Sequence, residues 1–254
     1  MPTRRIPIFY ASSLDLASNT ATISGQEAHH AQKVLRLRVG AQVKVIRNGS
    51  TWSGRLVQAG PGSQVIVSLE EGCEAAPWSA PEVGLLVAIP KGRVSDYIAQ
   101  KATELGVSQL IFFESERAIP RISQTRRRAR EERWERLARE AGKQCGRPRL
   151  PQIAGPVAFD EVLQIVPRFA LPLLLDPDGR PAKEVLAKRR ARSAAVIVGP
   201  EGGFTEREYR ALAEAGARSC RICDAVLRTE TAAICAVAVV ANSLTCVRSP
   251  EPGG

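Results

Sequence analysis

Residues 197–205 read Ile-Val-Gly-Pro-Glu-Gly-Gly-Phe-Thr, and this stretch decides the fold of the C-terminal part of the chain. Its apolar start predicts the end of a buried strand, its glycines predict a loop, and Thr205 with Glu208 predicts a capping box that opens a helix. Glycines let a backbone approach a ligand closely, and free N–H groups there bind polar atoms. The spacing is neither G-x-G-x-x-G nor a P-loop, and Glu201 would repel a phosphate. A plain strand-to-helix turn explains the pattern equally well.

The chain around this stretch alternates apolar runs with helical patterns. Continuous apolar runs, typical of parallel strands covered on both faces, occupy residues 83–89, 107–113, 171–175 and 194–198. Helical patterns run from Val94 to Leu105, around Trp134 to Ala141, and from Thr205 up to Gly216; Gly106 and Gly216 are placed to end two of these helices. This alternation predicts an α/β fold whose site lies beyond the carboxyl ends of the strands.

The N-terminal segment has a different pattern, with many short β-like runs. They lie at residues 6–10, 20–23, 42–46, 51–58 and 64–69. Asn48-Gly49 predicts a hairpin turn, because both residues tolerate positive φ. Ser24 and Glu27 predict a capping box that opens one short helix over residues 29–35. Short strands with a single helix favour a small barrel.

These patterns predict the domain organisation. A β-barrel domain covers residues 1–72, and a linker with two prolines covers 73–82. An α/β domain covers 83–247, and a polar tail, expected to be disordered, covers 248–254.

Composition narrows the class of protein. The chain has 254 residues, 44% hydrophobic and 24% charged, which excludes a wholly disordered or fibrous protein. A formal charge of +10 favours an acidic partner such as nucleic acid. Six cysteines are too sparse for a disulfide scaffold, so we expect the reducing cytoplasm.

Neither a membrane segment nor a metal site is expected. Pro7 and Asp15 interrupt the apolar run that a secretory signal needs, and the apolar run 232–241 is too short to span a membrane, so it predicts a buried core helix. The adjacent His29 and His30 lack further ligands, and Cys220 with Cys223 forms a lone C-x-x-C on a predicted strand.

A second stretch, residues 225–233, reads Ala-Val-Leu-Arg-Thr-Glu-Thr-Ala-Ala. Thr229 or Thr231 can cap the apolar helix that follows, and Glu230 suits the positive end of its dipole. A simple helix start thus explains the threonines and the glutamate. Arg228 is a cation placed against that dipole, so it needs another role, such as a partner carboxylate or a ligand.

Residues 115–150 carry most of the excess positive charge, with 12 Lys and Arg against five acids. Glu132/Arg136 and Glu135/Arg139 are spaced as ion pairs of a solvated helix, which explains part of the run. Arg126, Arg127 and Arg128 lack nearby acids in sequence, so we expect them to contact phosphates. Lys33, Arg36 and Arg38 form a second candidate patch.

Together these stretches resemble the RsmE family, a group of SPOUT-class ribosomal RNA methyltransferases. The resemblance rests on Gly199-Pro200-Glu201-Gly202-Gly203-Phe204 followed by Leu227-Arg228-Thr229-Glu230-Thr231-Ala232. Further matches are His29-His30, Val34-Leu35-Arg36, Pro90-Lys91-Gly92, residues 100–107, Glu116-Arg117 and Gln144-Cys145-Gly146-Arg147. The usual Leu-Gly-x-Arg is replaced here by Ile222-Cys223-Asp224-Ala225, so this loop lacks the glycine and the arginine that the family has there.

The resemblance implies a fold and an activity. The N-terminal domain would be a PUA-like RNA-binding barrel, and the C-terminal domain a SPOUT α/β fold with a trefoil knot. The enzyme would be a homodimer that uses S-adenosylmethionine to methylate N3 of a uridine in 16S rRNA, as free RNA or in the small ribosomal subunit. Two alternatives stay open: a SPOUT methyltransferase for another RNA position, and a non-catalytic RNA-binding or ribosome-assembly factor.

The resemblance also implies site residues. Arg228 and Arg147 would stabilise charge on the uridine oxygens, and Glu230 would take the N3 proton. The cofactor would contact Leu175, Val198, Gly199, Pro200, Glu201, Gly202, Gly203, Ile222, Leu227, Thr231 and Ala232. RNA would contact Arg4, Arg5, His29, His30, Lys33, Arg36, Arg38, Lys91, Arg117, Arg126, Arg127, Arg128 and Arg147.

Overall fold

The computed structural model describes residues 6–59, 64–70, 81–117, 124–187 and 191–245. They form two compact units. One contains the described residues up to 70 together with 142–149, and the other contains 81–141 and the residues from 150 onward. Arg4 and Arg5, most of the predicted linker and the C-terminal tail lie outside the described residues.

The N-terminal unit is built on a six-stranded sheet. Its strands are β1 (Ile8–Tyr10), β2 (Ser13–Asp15), β3 (Thr20–Ser24), β4 (Gln42–Arg47), β5 (Ser50–Ala59) and β6 (Gln64–Leu69). Their order is β1-β4-β5-β6-β3-β2. The segment Ile8–Asp15 pairs with β4 through β1 and with β3 through β2, at opposite ends of that order. One continuous segment therefore closes the sheet, and the prediction of a small barrel is confirmed.

Alternating residues of these strands fill the barrel with one apolar cluster that includes Phe9, Ile23, Val45, Leu56 and Val67. The Asn48-Gly49 turn between β4 and β5 has positive φ at both residues, 51° and 84°, as predicted.

The predicted capping box at Ser24 is wrong. The helix α1 (Gly25–His29) follows Ser24, but the Ser24 side chain makes no capping hydrogen bond, and a π-helical turn (His30–Val34) continues the helix. The carboxylate of Glu27 is buried and accepts a hydrogen bond from Lys143 Nζ at 3.1 Å. A charged partner 116 positions away thus removes Glu27 from the capping role that local spacing predicts.

The C-terminal unit contains a six-stranded sheet in which every pairing is parallel. Its strands are β7 (Glu82–Ala88), β8 (Gln109–Glu114), β9 (Gln152–Ala158), β10 (Leu171–Pro181), β11 (Ser193–Val198) and β12 (Arg218–Arg221). The order is β12-β10-β11-β7-β8-β9. The α/β prediction with a parallel sheet is confirmed.

Helices cover both faces of this sheet. They are α2 (Val94–Glu104), α3 (Gln124–Cys145), α4 (Phe159–Ile165), α5 (Ala182–Ala187), α6 (Glu206–Glu214) and α7 (Thr229–Thr245). Residues from α2, α3, α5 and α7 pack in one apolar cluster, and residues from α4 and α6 pack in another. Successive strand residues alternate between the clusters: Leu85 and Val87 join the first, Leu86 and Ala88 the second. This double coverage explains why the strands read as continuous apolar runs.

The sequence pattern does not predict strand β9, because Gly155 and Pro156 interrupt it. It lies at the edge of the sheet, where proline is tolerated. A Cβ at position 155 would clash with the Phe112 carbonyl oxygen of β8, so glycine allows the two strands to approach.

The apolar helix α7 is buried on one face only. Ala233, Ala236, Val237 and Val240 are buried, whereas Val239 is 38% exposed. The prediction of a buried core helix therefore holds for half of its circumference. None of the helices in the described part of the chain is long and apolar enough to cross a membrane.

We predict that Gly84→Ala destabilises the C-terminal unit. The added Cβ would lie 2.5 Å from Cζ of the buried Phe169, which overpacks the core and lowers the free energy of unfolding by about 1–3 kcal/mol. Denaturant unfolding measures the change. Phe169→Leu in the same chain should recover part of the loss by making room, and an unchanged unfolding midpoint in Gly84→Ala would contradict this packing.

Candidate active site

A cavity of about 660 Å³ lies in the C-terminal unit, at the carboxyl ends of β11, β12 and the apolar part of β10. It is lined by residues 175–177, 198–204, 220–223 and 225–229, together with Tyr209 and Ala232. These three strands are neighbours in the sheet, so the segments that follow them meet at one edge. The position matches the expectation that the site lies beyond the strand ends.

The loop after β11 forms one wall, and its shape depends on its glycines. The N–H of Gly203 donates to the Pro200 carbonyl at 2.9 Å, and Gly203 has φ 68°. At Gly199, a Cβ would come within 3.0 Å of the Phe204 ring. Phe204 in turn stacks on Phe113, with parallel rings whose centroids are 6.2 Å apart. The loop is therefore anchored below by an aromatic contact and exposes backbone to the cavity.

Two contacts hold the outer side of this loop. Arg117 donates from Nη1 to the Gly202 carbonyl at 2.8 Å, and the backbone N–H of Lys91 donates to Glu201 Oε1 at 3.2 Å. Both basic residues are predicted RNA contacts, and both lie against the loop that forms the wall of the cavity.

The buried carboxylate of Glu208 fixes the start of α6. One oxygen accepts the Thr205 N–H at 2.9 Å, while Thr205 Oγ1 accepts the Glu208 N–H at 3.2 Å, so the predicted capping box is confirmed. The other oxygen accepts the N–H of Glu116, beyond β8, at 2.9 Å. This carboxylate therefore ties the loop after β8 to the loop after β11.

The segment between β12 and α7 forms the opposite wall. Ile222, Leu227 and Arg228 line the cavity, and Thr229 Oγ1 donates to the Gly199 carbonyl at 3.5 Å. Cys223 and Ala225, which depart from the family pattern, line the cavity as well. The side chain of Arg228 is exposed and has no ion-pair partner among the described residues.

Sequence reasoning missed Asp176, which follows the apolar part of β10. Its Oδ2 accepts hydrogen bonds from Tyr209 Oη at 2.9 Å and Ser219 Oγ at 2.8 Å, and its Oδ1 accepts the Asp178 N–H at 3.0 Å. Burial opposes ionisation, but these hydrogen bonds outweigh it and hold the pKa of Asp176 below its usual value. The available signal was a carboxylate directly after a buried strand, at the edge where ligands bind.

The prediction that this pair of cysteines is buried on a strand holds for Cys220 and is wrong for Cys223, which lies beyond β12 and is exposed. Cys220 lies in β12, and burial raises the pKa of its thiol to about 11, which makes it unreactive. The described residues contain no group of three His, Cys, Asp or Glu side chains that could hold a metal ion.

Most predicted cofactor residues line one cavity. They are Leu175, Val198, Gly199, Pro200, Glu201, Gly202, Gly203, Ile222, Leu227 and Ala232. Thr231 and Glu230 lie in the first turn of α7 and do not line it. The volume suits a nucleoside-sized ligand, and the lining combines apolar side chains, loop backbone and charged groups. The cavity therefore fits S-adenosylmethionine, which combines a nucleoside with a charged tail.

Arg147 belongs to the N-terminal unit and is not among the residues that line the cavity. Its side chain is buried, and burial lowers its pKa to about 10. The hydroxyl of Tyr10 donates to its carbonyl at 2.9 Å.

The predicted RNA contacts of the barrel lie mainly on one exposed stretch. His29, Lys33, Arg36 and Arg38 are exposed, while His30 is half-buried against Phe9. The exposed apolar side chains of Val34, Leu35 and Val39 lie among them. The exposed cations suit a surface that contacts the phosphates of a nucleic acid.

The expectation that arginines 126–128 lack nearby acids is wrong for Arg127 and Arg128. Arg127 binds Glu114 Oε2 at 2.8 Å and donates to the Pro156 carbonyl at 2.6 Å. Arg128 binds Glu132 at 3.0 Å, so Glu132 pairs with the arginine before it rather than with Arg136. Folding supplies Glu114 from another strand, which sequence distance conceals. RNA contact by these arginines stays a prediction.

Comparisons with known proteins identify the relatives of this chain. A family described as the RNA methyltransferase domain matches residues 77–241, and one described as the RNA methyltransferase PUA domain matches residues 23–70. The chain is 31% identical to the ribosomal RNA small subunit methyltransferase E of Mycobacterium bovis, over 92% of this chain and 90% of that protein. It is 26% identical to the protein of the same name from Bacillus subtilis, over 91% and 93% of the two chains.

A solved structure has the same fold. The ribosomal RNA small subunit methyltransferase E of Neisseria gonorrhoeae, bound to S-adenosyl methionine, superposes with a TM-score of 0.81 at 26% identity. The match covers 94% of this chain and 98% of that one.

We predict that Glu208→Ala destabilises the C-terminal unit and loosens the cavity wall. The change leaves the N–H groups of Thr205 and Glu116 without their buried acceptor, at a cost of about 2–4 kcal/mol in the free energy of unfolding. Thermal unfolding and amide hydrogen exchange at residues 116 and 205 measure the effect.

The matched control is Glu206→Ala, in the same helical turn. Glu206 is exposed and pairs only with the exposed Arg210 among the described residues, so its loss should change stability by less than about 1 kcal/mol. Equal effects of the two changes would show that Glu208 is not the tie.

Proposed function

The chain belongs to the ribosomal RNA small subunit methyltransferase E family, and we propose from this premise that it methylates N3 of a uridine in 16S rRNA with S-adenosylmethionine. The observation that carries the proposal is the cavity itself. Two backbone segments, 198–204 and 222–228, face each other across it, and an exposed arginine lines it. A nucleoside-sized site with a free cation at its wall suits transfer of a methyl group to a base.

The loop residues of this chain hold and orient the donor. Bound S-adenosylmethionine supplies an electrophilic methyl group on a sulfonium. When the N3–carbon bond forms, the sulfur–carbon bond breaks, its electron pair stays on a neutral thioether, and the N3 proton leaves to a base. Such an in-line displacement depends mainly on positioning, so the anchored loop and the capped helix contribute by fixing the geometry.

Arg228 is the cation that we assign to the uridine. As N3 loses its proton, negative charge develops on O2 and O4 of the base, and a nearby guanidinium stabilises it. Arg228 lines the cavity, whereas Arg147 is buried in the N-terminal unit, so we give this role to Arg228 first. Glu230 lies two residues farther along, outside the lining of the cavity, and is our candidate for the base that takes the proton through one water.

The RNA is bound by the basic residues of the two units. The surface formed by Lys33, Arg36 and Arg38 on the barrel serves to contact phosphates. Lys91 and Arg117, held against the cavity loop, serve to position the strand near the target base. The uridine must be unstacked to present N3 to the donor.

We further propose that the active form is a homodimer with the trefoil knot of its class. The half-exposed apolar face of α7, which carries Val239, supports a second copy as its cover. The knot is proposed on the resemblance to the SPOUT class. The four described cysteines, 145, 220, 223 and 235, are free thiols, which suits the cytoplasm.

We predict that Arg228→Ala abolishes methylation and leaves donor binding intact. Purified protein, S-adenosylmethionine and 16S rRNA, free or in small subunits, are incubated, and nucleosides are identified by mass spectrometry. Wild type should produce 3-methyluridine; the variant should be slower by about 100-fold or more. Calorimetry should give a donor Kd within about threefold of wild type, because the change removes charge stabilisation rather than the loops.

Arg210→Ala, which removes an exposed arginine of α6, is the control and should retain full activity. Full activity of Arg228→Ala contradicts the role of Arg228. A different methylated position would identify the chain as a methyltransferase for another site, and absence of donor binding would identify it as a non-catalytic RNA-binding factor.

We predict that the affinity for RNA falls as the salt concentration rises. If about four phosphates are contacted, the logarithm of the RNA affinity should fall with the logarithm of salt concentration at a slope of roughly −3. Fluorescence anisotropy with a 16S rRNA fragment measures the slope. Replacing Lys33, Arg36 and Arg38 together with alanine should make it shallower, and a flat response in wild type would remove RNA from the account.

A further inference from the structure

The carboxylate of Asp176, which lines the cavity, accepts three hydrogen bonds from protein donors. Asp176 lies within a bulge in the pairing of β10 with β12, between Leu175 and Arg180, and it lines the cavity. Gly179 lets this bulge lie close to β12, since a Cβ there would be 2.6 Å from Ser219 Oγ. Arg221 Nη1 donates to the Gly179 carbonyl at 2.7 Å and fixes the other side of the bulge.

The other charged groups that line the cavity have different tasks. Glu201 is exposed and accepts the Lys91 N–H, and Arg221 is engaged with Gly179 and with Asp224 at 3.2 Å. Arg228 carries the wrong sign for a cationic ligand. Asp176 is half-buried and stays ionised, because its three hydrogen-bond donors favour the charged form. A carboxylate accepts about four hydrogen bonds, so capacity for one further interaction remains.

We propose that Asp176 recognises the positive charge of the donor's sulfonium, so that the cavity prefers S-adenosylmethionine to its product, S-adenosylhomocysteine. The inference rests on the proposed function. The two molecules share the adenosine, the α-ammonium and the carboxylate, and differ in the methyl group and the sulfur charge. Methyl transfer neutralises the sulfur, the attraction to Asp176 ends, and release of the product is favoured.

The three parts of the ligand give different results if Asp176 acts on them. A carboxylate that binds the ribose would stabilise adenosine, S-adenosylmethionine and S-adenosylhomocysteine alike. One that binds the α-ammonium would stabilise the latter two equally. Only a contact with the sulfonium separates them.

The experiment measures the affinities of S-adenosylmethionine, S-adenosylhomocysteine and adenosine by calorimetry, for wild type and Asp176→Asn. The amide keeps the shape, and the hydroxyls of Ser219 and Tyr209 can donate to it or accept from it. We expect wild type to prefer S-adenosylmethionine by about three- to tenfold, as for an opposite charge in a half-exposed site. The variant should lose that preference by binding S-adenosylmethionine more weakly, with the other two affinities unchanged.

Asp178→Asn is the matched control. It removes the same charge from the same bulge, but Asp178 is exposed and does not line the cavity, so the preference should remain.

Equal affinities of wild type for S-adenosylmethionine and S-adenosylhomocysteine overturn the proposal without any variant. Equal weakening of all three ligands in Asp176→Asn overturns it too, since that is the result of a purely structural tether. Absence of binding of every ligand by wild type would instead contradict the proposed function.

Discussion

The site depends on one constraint: three neighbouring parallel strands, β10, β11 and β12, must end at the same edge of a sheet that is buried on both faces. Burial of alternate residues of β11 in two separate cores fixes its register against β7 and β10. The glycine loop after β11 and the segment after β12 therefore lie next to each other at this edge and form the two walls of the cavity. A fault in this packing would move both walls of the cavity, because neither wall has a core of its own.

Rigidity at that edge comes from two carboxylates that accept most of the hydrogen bonds they can. Glu208 accepts three hydrogen bonds from two loops and its own helix start, and Asp176 accepts three from a bulge, a strand and α6. Both carboxylates therefore preorganise backbone around the cavity rather than waiting for a ligand to order it. Arg228 differs, since it is exposed at the wall and remains available to a substrate.

Local sequence patterns predicted the features that depend on short-range interactions. The capping box at Thr205, the hairpin at Asn48-Gly49 and the apolar strands 83–89 and 194–198 follow from short-range geometry and burial, and the structure has them. The cofactor residues were predicted from the resemblance, because the family combines two motifs that are distant in the sequence. Two predictions failed because of long-range contacts: Glu27 binds Lys143 instead of capping with Ser24, and Arg127 binds Glu114. Asp176 was missed because the two side chains that donate to it lie 33 and 43 residues away.

The most direct test of the account is a crystal structure of the full chain with S-adenosylmethionine. We predict electron density for the donor between residues 198–203 and 222–227, with its methyl group open to the side on which Arg228 lies. Density for the donor at any other place on the chain, or these two segments packed together with no donor between them, would contradict it.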